Sequence, residues 1–183
     1  MKIALIGDSE NIFSEKIKSV FQEDIEFVYE SNDDFEGLII VSDNLDTDQK
    51  KIILKSNELK IPIIGIDDGF DALNLFFGGN KSIETEDNTT QLFLSPGAKL
   101  SHIVGGSGWV KCNFKLTSTI YGKDLSESFF SSIISDKGEI IGFEKAGNDW
   151  QFGIKFDIFS QDIPRGFENI INVFLDKCSD FVK

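Results

Sequence analysis

Two periodicities alternate along the N-terminal half of the chain. The run Ile3-Ala4-Leu5-Ile6-Gly7 is apolar on every position and closes on Asp8-Ser9, as a strand buried on both faces does. Ile12, Phe13, Ile17, Val20 and Phe21 then fall at helical spacing. Residues 25–29 and 37–42 read as a second and a third strand. Asp46-Thr47 offers an N-cap for a helix running to about Leu59. Residues 61–66 read as a fourth strand and 68–77 as a short helix stopped by Gly78-Gly79. Strand and helix alternating through short links predict a parallel sheet covered on both faces.

Further on, apolar segments at 91–94, 100–104, 107–116, 129–134, 139–144 and 150–156 read as strands with no long helix between them, which predicts antiparallel pairing added to the sheet. The polar stretch 81–91, with Asn88-Thr89-Thr90, reads as a mobile surface loop. A closing helix has Pro164 near its start and an apolar stripe of Phe167, Ile170, Ile171, Phe174, Leu175 and Cys178. The expected fold is α/β: a flavodoxin-like three-layer α/β/α sandwich over one domain, residues 1–183, its central sheet mostly parallel with added antiparallel strands.

Composition narrows the partners. The chain of 183 residues carries a formal charge of −13, which repels nucleic-acid phosphates and anionic membrane surfaces. Arg165 is the only arginine among 18 basic residues, leaving little bidentate clamping of phosphate or carboxylate. The 18 Phe read as core filler. Cys112 and Cys178 stand far apart with no CxxC or Cys/His cluster, so neither a zinc site nor any other metal or cofactor is expected. The first residues are interrupted by charge too soon for a signal peptide, and no apolar stretch of ~18 residues occurs, so a reducing cytoplasm is the expected compartment.

The stretch richest in chemistry is Ile61-Pro62-Ile63-Ile64-Gly65-Ile66-Asp67-Asp68-Gly69, running into Phe70-Asp71-Ala72-Leu73-Asn74 and on to Gly78-Gly79. A buried strand meets Gly-x-Asp-x-Gly and passes straight into a helix. Small residues on both sides permit a sharp turn that leaves Asp67 strained and exposed beside the positive end of the helix, the geometry of a nucleophile elbow. Read without chemistry, Asp67 and Asp68 are helix caps.

This segment resembles the elbow of class I glutamine amidotransferases, and within them the gamma-glutamyl-gamma-aminobutyrate hydrolase branch, also called peptidase C26. Gly65, Ile66, Gly69, Leu73, Asn74, Gly78 and Gly79 match that branch's pattern, Leu-Gly-Ile-Cys-x-Gly-x-Gln-x-Leu-Asn followed by Gly-Gly. The segment from Ser135 to Glu144 resembles the family's Asp-Gly-x-Ile-Glu-x-x-Glu stretch, and Gly153-Ile154-Lys155-Phe156-Asp157-Ile158-Phe159 its Gly-Val-Gln-(Phe/Trp)-His-Pro-Glu. His102 lies where the family often has a His after the elbow helix.

The resemblance implies a Cys-His-Glu triad, and the chain departs from it at each position. Asp67 stands for the nucleophilic Cys, Asp157 for the His and Phe159 for the Glu, while Ser42-Asp43 replaces the usual Pro-Gly-Gly of the oxyanion loop. Asp67 is a weak nucleophile toward an amide, Asp157 cannot shuttle protons as imidazole does, Phe159 orients nothing by hydrogen bonding, and Asp43 sets negative charge near a developing oxyanion. The expectation is therefore a catalytically inactive amidotransferase-like protein with a binding, regulatory or assembly role. Its ligand, a small molecule or a protein, would meet Asp67, Asp68, Ser42, Asp43, His102 and Asp157, and a homo-oligomer is admissible. One alternative is an active hydrolase of C–N amide bonds using Asp67 with Asp157 or His102. Another is an unrelated flavodoxin-like protein binding a ligand near Asp8, Ser9 and Ser42 at the strand ends. A hard cation held by Asp67, Asp68 and Asp157 is not demanded by their spacing.

Overall fold

A computed structural model describes residues 1–8, 10, 12–20, 25–86, 88–147 and 149–181. Ser9, Phe21 and the Val20 side chain lie outside the described part. In chain order the elements are β1 (Lys2–Ile6), α1 (Ile12–Val20), β2 (Glu26–Val28), β3 (Gly37–Ile40), α2 (Thr47–Leu59), β4 (Ile63–Ile66), α3 (Asp68–Phe76), β5 (Ile83–Glu84), β6 (Asn88–Leu94), α4 (Lys99–Val104), β7 (Gly108–Lys115), β8 (Ser118–Thr119), β9 (Phe129–Ser135), β10 (Ile140–Lys145), β11 (Gln151–Ile154) and α5 (Asn169–Phe181).

A nine-stranded sheet runs in the order β2-β1-β3-β4-β11-β10-β9-β6-β7. Strands β2, β1, β3, β4 and β11 pair in parallel, and β10, β9, β6 and β7 continue the sheet antiparallel. Successive side chains of a strand point to opposite faces, and the two cores divide accordingly. Ile3, Leu5, Ile39, Ile64, Phe152 and Ile154 pack with Ile17 of α1, Leu100 of α4 and Ile170 and Phe174 of α5. Ala4, Ile6, Leu38, Ile40 and Ile63 pack with Ile52 and Ile53 of α2 and Phe70 and Leu73 of α3. The result is the expected three-layer α/β/α arrangement. Much of the phenylalanine is core: Phe70, Phe143, Phe152, Phe167 and Phe174 are fully buried, each burial stabilising by roughly 1.5–3 kcal/mol.

The start of α2 follows its sequence signal. Asp46 Oδ1 accepts hydrogen bonds from the backbone N–H of Asp48 and Gln49, both at 2.8 Å, and Gln49 Oε1 accepts from Asp46 N–H at 3.0 Å. This reciprocal box satisfies donors that a helix start otherwise leaves open.

Two expectations are corrected. Residues 100–104 form helix α4, not a strand. The Glu144 carboxylate, from β10, accepts the N–H groups of Lys99 at 2.7 Å and Leu100 at 3.0 Å, and Gly105 closes the helix at φ 97°. A cap supplied across the fold outweighs the strand preference of a short apolar run. The stretch 81–91 is likewise not an irregular loop: it contains β5 and the beginning of β6, whose pairing partners β8, β7 and β9 lie far along the chain. Among the described residues no helix is long and apolar enough to cross a membrane.

Candidate functional site

Strand β4 passes into α3 through a turn that only small residues allow. A Cβ on Gly65 would lie 2.4 Å from the Gly69 carbonyl oxygen, and a Cβ on Gly69 would lie 1.8 Å from the Ile40 carbonyl oxygen. With both neighbours stripped to backbone, Asp67 takes φ 52°, ψ −108°, a region that side-chain-bearing residues rarely occupy. Its N–H donates to Ile154 O at 2.9 Å, and its carbonyl accepts from Phe70 N–H at 3.0 Å. The bend is thus sewn to β11 on one side and to the first turn of α3 on the other.

The capping role read for Asp67 is not realised. It occupies the N-cap position but its side chain accepts no capping hydrogen bond. Its carboxylate, 54 % exposed, instead stands 3.7 Å from Lys155 Nζ. Lys155 follows the last residue of β11, and its side chain is only 1 % exposed. The ammonium donates to Asp71 Oδ2 at 2.6 Å and to the Asp67 carbonyl at 3.5 Å, and Ser118 Oγ donates to the same Asp71 oxygen at 3.0 Å. A buried charge needs such partners, since desolvation of an unpaired ammonium is prohibitive.

Asp67 and Asp157 are brought together on two cavities. One, of about 530 Å³, also meets Lys155, Lys115, Asn113 and Ser160. The other, of about 260 Å³, lies at the carboxyl ends of β1, β3 and β4 and meets Gly7, Asp8, Lys16 and Val41. Asp157 is not poised as a proton carrier: it pairs with Lys16 at 3.5 Å, and its Oδ1 accepts the Phe159 N–H at 2.9 Å. Phe159 packs edge-on against Phe13, ring centroids 5.5 Å apart, beneath the Lys16 ammonium. Asp8 does not reach for a ligand either. Its carboxylate caps α1 through Phe13 N–H at 2.9 Å and Ser14 N–H at 2.7 Å. Partial burial opposes its ionisation, but the hydrogen bonds from Ser14, Phe13 and Ile12 outweigh that and hold the carboxyl below its ordinary range.

A third cavity, of about 400 Å³, lies on the other side of the elbow between Asp43, Asp68, Asp71, Glu84 and Ser118. Asp68 begins α3, yet its carboxyl is raised above the ordinary value. Desolvation contributes most, then the negative charge of Asp67, with Asp43 and Asp71 adding to it against the pull of Lys155. Ser42 belongs to the β3–α2 loop, where its Oγ accepts Asn44 N–H at 3.2 Å, and it presses on Gly7, where a Cβ would come 2.3 Å from Ser42 Cβ. Asn74 and Gly79, matched in the elbow pattern, have a structural role: buried Asn74 donates to Asn80 O and Asp124 O and accepts from Ser126 N–H at 2.9 Å.

His102 is exposed on α4 and lines none of these three cavities. Cys178 is fully buried against Gly37, and burial, with the charge of Glu36, drives its thiol far up. Cys112 lies on β7, where burial first and Asp136 second push its thiol up to about 11. No thiolate is favoured at either position. Among the described residues no group of three or more His, Cys, Asp or Glu is arranged to hold a metal ion. Lys155, Asp71 and Ser118 were not singled out by the sequence. The available signal was a lone charge set directly after the buried run Phe152-Gly153-Ile154 and before Phe156.

The elbow at the end of β4, the mixed sheet and the helices on both its faces define the fold of class I glutamine amidotransferase domains. By sequence, no family model and no curated protein matches the chain. By structure, it is similar to a GMP synthase subunit from Thermoplasma acidophilum, with TM-score 0.72, 17% identity, and coverage of 100% of this chain and 96% of that one. It is also similar to the glutaminase domain of Trypanosoma brucei CTPS with bound acivicin, at TM-score 0.72 and 11% identity over 98% of this chain and 94% of that one. A glutamine amidotransferase of Thermotoga maritima superposes at TM-score 0.59 with 15% identity, over 98% and 84% of the two chains. Identities this low speak to the fold alone.

Proposed function

We propose that the chain is a catalytically inactive relative of the class I glutamine amidotransferases, of the gamma-glutamyl-gamma-aminobutyrate hydrolase type, that acts by binding a small molecule or a protein partner in the cleft around Asp67. One observation carries this reading. The strained elbow position holds a carboxylate shared with a buried ammonium, and the group facing it across the cavities, Asp157, is an ion-paired carboxylate. Acyl transfer needs a nucleophile, a proton carrier and donors for an oxyanion. Here the first is anchored to Lys155, the second is replaced by the Asp157–Lys16 pair, and the third faces Asp43 and Asp68. An assembly role fits the Thermoplasma protein, whose name describes part of a larger synthase, and a cytoplasmic location fits two free cysteines.

The test is turnover of glutamine and of gamma-glutamyl amides by purified protein. The expected result is none above a buffer blank. Robust turnover abolished in Asp67→Ala would overturn the proposal.

A second reading, an amide hydrolase using Asp67 as nucleophile and Asp157 as base, draws on their shared cavities. It predicts an aspartyl ester at Asp67 in a hydrolase-substrate screen read by intact-mass spectrometry; absence of the adduct removes it.

A further inference from the structure

The two larger cavities flank one wall, and that wall is made of few residues. Thr117 lines both. Lys155 faces the cavity of about 530 Å³, while its partner Asp71, with Ser118, faces the cavity of about 400 Å³. The chain of contacts Ser118 Oγ to Asp71 Oδ2 at 3.0 Å and Asp71 Oδ2 to Lys155 Nζ at 2.6 Å therefore runs across the partition.

Ser118 belongs to a ribbon that stands apart from the main sheet. Among the described residues, strands β5 and β8 pair only with each other, through Ile83↔Thr119 and Glu84↔Ser118, with Thr85 N–H donating to Thr117 O at 3.0 Å. Both residues of β5 are exposed, Ile83 among them, and Thr119 Oγ1 is buried without a hydrogen-bond partner. Two-residue strands of this kind hold only through what they are tied to. On either side of β8 the chain is fixed: Leu116 and Ile120 are buried, and Ile140 N–H donates to Ile120 O at 2.9 Å.

We propose that the β5–β8 ribbon is a strap latched over the elbow by the hydrogen bond from Ser118 to Asp71, and that its release joins the two flanking cavities into one cleft and uncovers the Lys155 ammonium. The anchors at Leu116 and Ile120 act as hinges, and Asp71 is the positioning residue that links strap to elbow. The closed strap explains why a lysine can be buried at the edge of a cavity: the ribbon and Asp71 together shield it. The inference is independent of whether the cleft binds a ligand or turns one over.

Hydrogen exchange on the full chain, read by mass spectrometry, tests it alongside labelling of Lys155 by an amine-reactive ester. In Ser118→Ala, amides of 83–85 and 117–119 are expected to exchange about tenfold faster, the factor set by one hydrogen bond to a charged acceptor. Amides of β1 and β4 should stay as in the parent, and Lys155 labelling should rise in step with the ribbon. Ser118→Thr, which keeps the hydroxyl, should restore both, and Asp71→Asn should match Ser118→Ala. Unchanged exchange in the ribbon of Ser118→Ala, faster exchange spread equally over β1 and β4, or a Lys155 label that ignores the ribbon would each overturn the latch.

Discussion

Lys155 and Asp71 meet at 2.6 Å in a pair whose ammonium is 1 % exposed and whose carboxylate is 13 % exposed. The second oxygen of Asp71 is buried with no hydrogen-bond partner. Two charges withdrawn from water in this way stabilise little as a pair, yet the loss of either one strands the other.

Replacing Lys155 alone should therefore be severe. Lys155→Met is expected to destabilise the fold by about 3–5 kcal/mol, while the double variant with Asp71→Asn should recover part of that loss because no carboxylate is left stranded. Urea denaturation of the two single variants and the double closes the cycle. Additive effects would contradict the coupling.

Asp67 holds its backbone at φ 52°, ψ −108° without a capping hydrogen bond to compensate. Glycine adopts that conformation freely, and relief of such strain is on the order of 1–3 kcal/mol. The half-exposed contact with Lys155 offsets at most ~1 kcal/mol of the gain. Asp67→Gly is expected to raise thermal stability; a lower melting temperature would show that the bend is not strained.

Gly69→Ala should do the reverse. The new methyl carbon would lie 1.8 Å from the Ile40 carbonyl oxygen, a backbone atom in the central sheet with no room to retreat. A loss of about 3 kcal/mol or more, or failure to accumulate folded protein, is expected. Ala tolerated at this position would mean that α3 can back away from β3.

Asp68 gives a pH signature. Its folded carboxyl titrates above the ordinary 3.8, through desolvation first and the charge of Asp67 second, so the folded state binds the proton more tightly than the unfolded state. Its contribution is most favourable below the ordinary value and is lost as pH rises through the raised one. Asp68→Asn should stabilise the protein at neutral pH, by less than ~1 kcal/mol because the group is largely exposed, and the gain should shrink in acid. Melting curves from neutral pH down to pH ~3, near the reference range for Asp, read the trend; a gain that grew in acid would refute it.

Glu144 caps α4 from β10 with its carboxylate 1 % exposed. Glu144→Gln keeps the shape and removes the charge, and a loss of about 1–2 kcal/mol is expected, with α4 amides exchanging faster. Equal protection of α4 in both proteins would place its stability elsewhere.

How far the sequence reaches is clearest at the elbow. Gly65, Asp67 and Gly69 announced a sharp strand-to-helix bend, and the close approaches at both glycines are its physical cause. The capping box of Asp46 and Gln49 was legible for the same reason, because its partners lie within one turn. The misreading at 100–104 shows the limit: Leu100 to Val104 has a strand-like composition, and the carboxylate that makes it a helix arrives from Glu144.

The sequence by itself determined the alternating β and α elements, the apolar faces that sort them into three layers, and the acidic bend at Asp67. Those features depend on neighbours in the chain, through periodicity, turn chemistry and local caps. Only the tertiary structure decided that Lys155 is buried beneath the bend, that Asp71 and Ser118 complete its shell, and that His102 lies apart from them. Such contacts join residues dozens of positions apart, and whether a charge is buried or solvated follows from which strands and helices close over it.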